Sequence, residues 1–473
     1  MRFVTTRAFR PAQGVPSESW GGGGPAVSLA AAIFDGLAPD GGLYVPESIA
    51  RWSPGELAEL PSLSLPEVGF RVLRPFVGDE LDPAALRAVL VDALDFPIPL
   101  VEVEPGVHAL ELFHGPTLAF KDIGARVMAR LMAALWVGDE PLTVLVATSG
   151  DTGSAVAHAF HAVPHTRVVV LYPDGRVSPT QEAQLTMFNG EAGNVRAYAV
   201  AGSFDDCQRL AKAGFADPEL ARHMTSANSI NIGRLLPQMI YYAHAVARMR
   251  TSRTWGPASA GPTGSDVTFS TPSGNFGNLT AGLMMKRAGL PIGRFVAATN
   301  ANDVVPAYLA TGRFEPRASV HTLSNAMDVG NPSNFERLMW LYAGDLEALK
   351  RDLVGSRHDD DEVRATIRRI YDERGYLLDP HSAVAYLGLK SFLQSDAHLK
   401  ADVVSGFSRA VTRSAGPAVF LATAHPAKFG EIVEPIIGRP VLKPQPLGDA
   451  LSRPRRILRI DGTLEAVKDA VTR

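Results

Sequence analysis

Beyond residue 140, short runs of valine, leucine and alanine alternate with segments in which apolar residues recur at helical spacing. One predicted helix opens with Ser178-Pro-Thr-Gln181, which combines a capping box with a proline at the first helical position. The predicted strands of this region are 143–148, 167–172 and 195–200. Strands that are apolar throughout and are joined by helices predict a parallel sheet that is covered on both faces.

A second set of apolar runs occupies the later part of the chain. Strands are expected at 267–271, 294–299 and 418–422, and a helix is expected over 278–286. The two sets are separated by 252–265, a segment rich in glycine, proline and serine that we expect to be a surface insertion. The sequence therefore predicts an α/β protein with two parallel sheets.

Composition argues against several classes of function. The 473-residue chain has 46 Lys and Arg against 49 Asp and Glu, with no basic block that would attract nucleic acid. No apolar stretch is long enough to cross a bilayer, and no apolar core of a signal peptide follows the first arginines. We therefore expect a cytoplasmic protein with neither a nucleic-acid partner nor a membrane partner.

Metal chemistry is not expected. Cys207 is the only cysteine of the chain and lies in a capped amphipathic helix, so we expect a packed thiol and not a nucleophile. His114, His381 and His425 lack the spacing of metal-binding motifs, and a hydrogen-bonded structural role is expected for His381. His114 lies near Lys121 in the sequence and is a candidate to support it.

The candidate chemistry centres on Lys121, in the segment Glu111-Leu-Phe-His-Gly-Pro-Thr-Leu-Ala-Phe-Lys121-Asp122. Apolar neighbours desolvate an ammonium group and favour the neutral amine, which is the form that attacks an aldehyde. Lys121 is therefore a candidate for a Schiff base. The alternative is that its stem packs over apolar surface and its ammonium group reaches water or pairs with Asp122.

Two turns that follow predicted strands could bind anions. Ser273-Gly-Asn-Phe-Gly-Asn278 places backbone amides at a helix N-terminus, which suits a phosphate, although an ordinary tight turn has the same composition. Thr148-Ser-Gly-Asp-Thr-Gly-Ser154 is rich in hydroxyls and amides and could hold a carboxylate or cap a helix. The second turn lacks the Gly-Lys-Ser/Thr ending of a P-loop, so an NTPase is not favoured.

Three further residues are candidates for a ligand site. Thr423 follows an apolar strand, at the sheet edge where ligands of α/β folds bind, or is simply a β-branched strand end. Arg234 lies near a helix start, and its planar guanidinium suits a phosphate. Lys428 is a second candidate for that phosphate, although a surface ion pair explains it equally well.

Several motifs are spread over almost the whole chain. Besides 111–122 they are Gly36-Leu-Ala-Pro-Asp-Gly-Gly-Leu-Tyr-Val-Pro46, Ala147-Thr-Ser-Gly-Asp-Thr-Gly-Ser154, Ala227-Asn-Ser-Ile-Asn231, Ser273-Gly-Asn-Phe-Gly277 and Ala422-Thr-Ala-His-Pro-Ala-Lys-Phe429. Together they resemble the pattern of threonine synthases, enzymes that use pyridoxal 5'-phosphate (PLP). The resemblance implies a PLP enzyme of fold type II, which converts O-phospho-L-homoserine and water to L-threonine and phosphate by γ-elimination and β-addition of water.

The same resemblance implies roles for single residues. Lys121 would bind PLP covalently and move the Cα proton of the substrate. Phe120 would also contact the cofactor, and Thr423 would face the pyridine nitrogen. The residues implied for the PLP phosphate are Gly274, Asn275, Phe276, Gly277 and Asn278, where the family often has aspartate at the last position. The residues implied for the substrate are Ser149, Asp151, Thr152, Asn228, Arg234 and Lys428.

The resemblance also implies a division into domains. We expect an N-terminal domain over 1–100, a large PLP-binding domain over 101–134 and 235–473, and a small α/β domain over 135–234 that closes over the substrate. A monomer and a homodimer are both compatible with the sequence. The alternatives are a threonine dehydratase or a β-replacement enzyme of the same fold, and a non-catalytic homologue that binds PLP or phosphorylated metabolites.

Overall fold

The computed structural model describes residues 1–8, 25–148, 150–190, 193–220, 224–251, 266–404 and 416–472. The expected surface insertion at 252–265 and the candidate Ser149 lie outside these ranges. The strands of the described chain are β1 (Phe3–Thr5), β2 (Tyr44–Pro46), β3 (Leu100–Glu104), β4 (Val107–Glu111), β5 (Leu142–Ala147), β6 (Thr166–Pro173), β7 (Val195–Val200), β8 (Met224–Ser226), β9 (Val267–Pro272), β10 (Ile292–Thr299), β11 (Leu353–Arg357), β12 (Ala418–Ala422) and β13 (Leu458–Ile460).

Helices connect and cover these strands. In the described ranges, none of them combines the length and the apolar character that crossing a membrane requires. The α-helices are α1 (Leu29–Asp35), α2 (Pro54–Glu59), α3 (Leu65–Val77), α4 (Pro83–Ala93), α5 (Lys121–Leu135), α6 (Asp151–Phe160), α7 (Pro179–Thr186), α8 (Phe204–Ala216), α9 (Ile232–Leu235), α10 (Met239–Thr251), α11 (Gly277–Arg287), α12 (Val304–Thr311), α13 (Phe335–Leu341), α14 (Leu346–Asp352), α15 (Asp360–Arg374), α16 (Pro380–Val404), α17 (Gly430–Ile437), α18 (Gln445–Ser452) and α19 (Leu464–Thr472).

A five-stranded parallel sheet has the strand order β13-β7-β6-β5-β8. All six residues of β5 are buried, as expected for a strand between two layers of helices. The strands predicted at 143–148, 167–172 and 195–200 are confirmed as β5, β6 and β7, and the capping box at Ser178 is present at the start of α7. The continuous apolar runs thus identified the interior of this sheet.

A six-stranded sheet has the order β11-β10-β9-β12-β4-β3, and all neighbours in it are parallel except β3 and β4. The predicted strands 267–271, 294–299 and 418–422 are confirmed as β9, β10 and β12. The edge strands β3 and β11 were not predicted. Both are largely half-exposed, so they lack the continuous apolar run of a central strand.

The carboxyl-terminal segment differs from the expected domain division. Residues 235–473 were expected to belong to one large domain, but β13 pairs in parallel with β7 in the five-stranded sheet. The helix α19 packs beside α8 on the same sheet. Because β7 would otherwise leave its edge amides and carbonyls unpaired, a short strand from the end of the chain stabilises that edge.

The N-terminal segment is tied to the rest of the molecule by a buried arginine. Arg337, which is 1% exposed, donates hydrogen bonds to the carbonyl of Tyr44 at 3.0 and 3.1 Å. It also donates to the carbonyls of Ser229 and Ile230 at 3.1 and 2.7 Å. This one side chain therefore fixes β2 against the loop that follows β8.

The carboxyl ends of strands from both sheets meet at one cleft. Lys121 follows β4, Thr423 follows β12, and the turn that begins at Ser273 follows β9. From the other sheet, Thr148 follows β5 and Asn228 follows β8. Ligands of open parallel sheets bind at such edges, so the topology itself brings the predicted site residues together.

Candidate active site

A cavity of ≈ 370 Å³ lies between the two sheets and is lined by most of the candidate residues. Its lining includes Phe120, Lys121, Asp151, Thr152, Asn228, Arg234, Gly274, Asn275, Phe276, Gly277, Asn278 and Thr423. Of the other candidates, Ser149 lies outside the described chain, and Lys428 is absent from the lining. Segments that are hundreds of residues apart in sequence therefore share one cavity.

Lys121 begins α5 and faces a carboxylate across the cavity. Its Nζ lies 3.8 Å from Oδ2 of Asp151, and its side chain is 16% exposed. The pairing with Asp122, considered from the sequence, is not formed, because Asp122 accepts hydrogen bonds from the amide and hydroxyl of Thr117 at 2.9 and 2.5 Å. Burial lowers the pKa of Lys121, Asp151 opposes this, and the positive charges of Lys428 and Arg234 add to the lowering. The expected desolvated lysine is thus present.

The turn after β9 is shaped to bind an anion. Phe276 has φ of 61° and caps α11, and a Cβ on Gly274 would lie 2.9 Å from Cα of Met327, so the turn needs glycine there. Within the described chain, the amides of residues 274–278 have no hydrogen-bond acceptor. Free amides at the start of an eleven-residue helix suit a phosphate.

The side chain of Asn278, in α11, contacts the end of the preceding strand β9. Its Nδ2 donates to the carbonyl of Pro272 at 3.0 Å, and its Oδ1 accepts from the amide of Leu279 at 2.8 Å. An ionised aspartate could not donate to that carbonyl, so an amide fits this position better in this chain.

The turn after β5 is stabilised by the hydroxyl of its first residue, Thr148. Thr148 Oγ1 accepts from the amides of Gly150 and Gly153, both at 2.9 Å. The amides of Asp151 and Thr152 have no acceptor in the part of the chain that the structure describes. These two amides, at the start of α6, can donate hydrogen bonds to a carboxylate.

The side chain of Asp151 faces two ammonium groups. The resemblance named the position of Asp151 for the substrate carboxylate, and the oxygens of its side chain lie 2.9 and 3.8 Å from Nζ of Lys428 and Lys121. Burial alone would raise the pKa of Asp151, but these two charges outweigh burial and hold the pKa well below its usual value. An ionised carboxylate repels a second carboxylate, so only the backbone here suits the substrate's carboxylate.

Arg234 is buried and only partly hydrogen-bonded. The residue is 4% exposed, and its Nη1 donates to the carbonyl of Ala227 at 2.5 Å. Its buried Nε has no partner in the described chain. Burial lowers the pKa of Arg234 to about 10, so the guanidinium remains charged at neutral pH. A buried cation with spare donors beside the cavity suits an anionic ligand group.

Asn228 and Lys428 are engaged within the protein. Asn228 Nδ2 donates to the carbonyl of Ala147 at 2.9 Å and so joins the ends of β5 and β8. Lys428 was a candidate for the substrate phosphate, but its side chain is 0% exposed and is absent from the lining of the cavity. Its Nζ is held by Asp151 and by the carbonyl of Thr117, at 2.9 and 2.7 Å. The ion pair that was the sequence alternative for Lys428 is therefore formed, but it is buried and does not lie at the surface.

One wall of the cavity, formed by residues 319–329, was not predicted from the sequence. Asp328 organises this loop by accepting from Asn300 Nδ2 at 2.9 Å and from Thr322 Oγ1 at 2.7 Å. Asn325 lines the cavity, and its buried Oδ1 has no partner in the described chain. Asn300 and Asn302 follow the predicted strand 294–299, and this polar ending was the available signal.

The histidines have different positions. His381 lines the cavity, and its Nδ1 lies 2.8 Å from Asp379 Oδ1 while its Nε2 accepts from the amide of Ala326 at 3.2 Å. The expected hydrogen-bonded role of His381 is confirmed. His114 pairs with Glu111 at 2.7 Å and is absent from the lining, so the structure does not place it beside Lys121.

The residues present fit PLP. The cavity joins a desolvated lysine, a turn of unpaired amides at a helix start and a threonine hydroxyl, which match an aldehyde, a phosphate and a ring nitrogen. The fold and the site thus define a PLP-dependent enzyme. In agreement, residues 95–408 match the family described as "Pyridoxal-phosphate dependent enzyme".

The flanking segments identify the family within that class. Residues 19–94 match "Threonine synthase N terminus", and residues 401–471 match "Threonine synthase, C-terminal". The chain belongs to the threonine synthase family. The resemblance inferred from the motifs is confirmed, as is the expected fold class.

Named relatives agree over most of the chain. It is 43% identical over 423 residues to the threonine synthase of Serratia marcescens, which covers 89% of this chain and 90% of that protein. It is 45% identical over 424 residues to the threonine synthase of Haemophilus influenzae, covering 89% and 91%.

Solved structures of the family have the same fold. The crystal structure of threonine synthase from Escherichia coli matches with a TM-score of 0.84 at 38% identity, over 100% of this chain and 99% of that chain. The PLP-bound threonine synthase from Brucella melitensis matches with a TM-score of 0.84 at 34% identity, over 100% and 98%.

Proposed function

We propose that this protein is a PLP-dependent threonine synthase, which converts O-phospho-L-homoserine and water to L-threonine and phosphate. The observation that carries the proposal is the presence of two separate anion sites beside Lys121, within a chain of this family. One is the amide turn at 274–278, and the other is the buried guanidinium of Arg234. A cofactor phosphate and a substrate phosphate require two such sites in one cavity.

The residues that would hold PLP come from three loops of the six-stranded sheet. Lys121 would bind it covalently, the turn at 274–278 would bind its phosphate, and the hydroxyl of Thr423 would face its ring nitrogen. When bound, PLP accepts the electron pair left at the substrate's Cα when a proton departs. Thr423 is a neutral partner, so it does not enforce protonation of that nitrogen as a carboxylate would.

Lys121 performs the proton transfer at Cα. It is the only lysine among the described residues that line the cavity. Because burial favours its neutral amine, Lys121 accepts a proton at neutral pH more readily than an exposed lysine does. Asp151, at 3.8 Å, stabilises the ammonium group that results. The same amine therefore takes up the Cα proton and returns it.

The remaining residues orient the substrate. The amides of Asp151 and Thr152 bind its carboxylate, and Arg234 binds its phosphate and stabilises that group as it leaves from Cγ. The wall at 319–329 and the loop from Asn228 enclose the space in which water is added at Cβ. Small-domain closure, the cytoplasmic location and a monomeric or homodimeric state remain proposals from the sequence.

A product assay tests the function. Purified protein with PLP and O-phospho-L-homoserine should release threonine and phosphate in equal amounts, and Lys121→Ala should release neither. The nearest alternative, a dehydratase of the same fold, would form 2-oxobutanoate in a parallel assay that supplies threonine in place of O-phospho-L-homoserine. If 2-oxobutanoate is the main product, or if phosphate is released without threonine, the proposed function is wrong.

A further inference from the structure

The ion pair between Lys428 and Asp151 crosses the cleft between the two sheets. Lys428 lies in the short 3-10 helix Pro426–Phe429 that follows β12, whereas Asp151 begins α6 after β5. The side chains are 0% and 3% exposed, and their charged atoms are 2.9 Å apart. A buried ammonium group is costly unless it is paired, so this contact constrains the relative position of the two loops.

The contact is part of a buried polar network around the lysine loop. Lys428 Nζ also donates to the carbonyl of Thr117, at 2.7 Å, in the turn that precedes Lys121. From α7, Gln184 Nε2 donates to the same carbonyl and Gln181 Nε2 donates to Asp151 Oδ1, both at 3.3 Å. The network therefore joins the loop before Lys121 to the turn that faces it.

The two oxygens of Asp151 have different partners. Oδ1 is held by Lys428 at 2.9 Å, and Oδ2 faces Lys121 at 3.8 Å. The longer distance leaves the Lys121 amine without a close ion pair. Because Lys428 sets the position of Oδ1, it also sets the distance from Oδ2 to Lys121.

We propose that Lys428 is a positioning residue for Lys121: it holds Asp151 across the cleft, so that the carboxylate faces the Lys121 amine but does not capture it in a close ion pair. This inference rests on the proposed function, in which Lys121 is the lysine that binds PLP. It gives Lys428 a role without contact with the substrate, in agreement with its complete burial.

The charges around Lys121 give the direction of the effect. Asp151, in α6, raises the pKa of Lys121. Lys428, in the 3-10 helix after β12, and Arg234, in α9, lower the pKa of Lys121. His381, in α16, contributes with Lys428 and Lys121 to lowering the pKa of Asp151. Without the Lys428 charge, Asp151 would have Lys121 as its main partner, the pKa of Lys121 would rise, and less neutral amine would be present at neutral pH.

The test measures the reactivity of Lys121 itself. The full-length chain is freed of PLP with hydroxylamine and treated briefly with trinitrobenzenesulfonate at a series of pH values, and the modified Lys121 peptide is quantified by mass spectrometry. In Lys428→Met the midpoint of modification should shift upward by about one pH unit or more. The matched control is Lys390→Met, which removes a lysine that pairs with Glu104 at 2.7 Å outside the cavity lining and should leave the midpoint unchanged.

A second pair of variants makes the result decisive. Asp151→Asn should shift the midpoint downward, and the double variant Lys428→Met/Asp151→Asn should have a midpoint within about half a unit of that of Asp151→Asn, because Lys428 then has no carboxylate to position. The double variant has no unpaired buried charge, so it serves if Lys428→Met does not fold. A double-variant midpoint that lies more than half a unit above that of Asp151→Asn would overturn the inference, because Lys428 would then act on Lys121 by its own charge, as would an unchanged midpoint in a folded Lys428→Met.

The holoenzyme separates the two proposals. In Lys428→Met with PLP, the acid limb of the kcat profile should move to higher pH, while the KM for O-phospho-L-homoserine changes less than twofold. Borohydride reduction should still label Lys121. If the label is on Lys121 and the pH profile does not move, only the role of Lys428 fails. If the label is on another lysine, the proposed function fails.

Discussion

The backbone amide of Phe120 donates a hydrogen bond of 2.8 Å to the carbonyl of Thr423, so the residue before Lys121 is joined to the loop that follows β12. An isolated bridge between Ala119 and Ala424 continues the same contact. The underlying reason is that β4 and β12 are parallel neighbours, and their following loops leave the sheet at the same edge. The lysine and the threonine proposed to bind PLP are therefore fixed relative to each other by main-chain hydrogen bonds.

Lys121→Ala should abolish activity and leave the fold intact, because the side chain lies at a cavity and contributes more to chemistry than to packing. Circular dichroism and thermal unfolding should match the unmodified protein within about 2 °C. Borohydride reduction of the unmodified protein should fix the cofactor on the peptide that contains Lys121. A reduced label on any other lysine would contradict the assignment.

Arg234→Ala should raise the KM for O-phospho-L-homoserine roughly tenfold or more, because a charge-assisted contact with the substrate phosphate is lost. The absorbance of bound PLP should be unchanged, since the cofactor phosphate is assigned to a different turn. Arg176→Ala provides the comparison, because Arg176 lines the cavity but is exposed. A larger KM effect in Arg176→Ala, or loss of PLP from Arg234→Ala, would refute the assignment.

Gly150→Ala should lower the free energy of unfolding by about 1–3 kcal/mol, because φ at this position is 138° and a Cβ would lie 2.5 Å from Gln181 Cδ. The strain lies at the turn assigned to the substrate carboxylate, so KM should rise as well. The matched control is Gly448→Ala in α18, where a Cβ meets no atom within 4 Å. Urea unfolding should show the control variant unchanged or more stable by about 0.5–1 kcal/mol.

The protein should lose stability between about pH 6.5 and pH 4 in part through His244. This histidine is 7% exposed, and burial, together with the charge of Arg248, lowers its pKa to about 4. As the pH falls below 6.5, His244 becomes protonated in the unfolded chain but stays neutral in the folded protein. The free energy of unfolding therefore decreases progressively, by up to about 3 kcal/mol at pH 4.

His244→Gln should reduce this pH dependence. A glutamine amide can replace the hydrogen bond from His244 Nε2 to the carbonyl of Ile98, at 3.0 Å, and does not titrate. Urea unfolding at pH 7 and pH 4.5 should show a smaller difference for the variant than for the unmodified protein. An equal difference would show that His244 does not contribute.

Sequence patterns were sufficient where the determining interactions are local. The strands β7 and β12 coincide with the predicted 195–200 and 418–422. All five residues of β12 are buried, whereas β7 alternates buried residues with the half-buried Arg196 and Tyr198. The helix of Cys207 has the expected capping box, and burial raises the pKa of that thiol to about 12, in agreement with a packed side chain. The motif at 273–278 likewise forms the expected turn between a strand and a helix, β9 and α11.

Tertiary structure decided which side chains meet. From sequence, Asp122 and Asp151 were each near a motif, but only packing of the two sheets turned Asp151 toward Lys121 and bound Asp122 to Thr117. The same packing placed Lys428 in a buried ion pair with Asp151. Local sequence determines the turns, caps and central strands, because their hydrogen bonds and burial patterns repeat within a few residues. The partners of charged groups and of edge strands such as β13 depend on contacts between distant segments, which form only when the whole chain has folded.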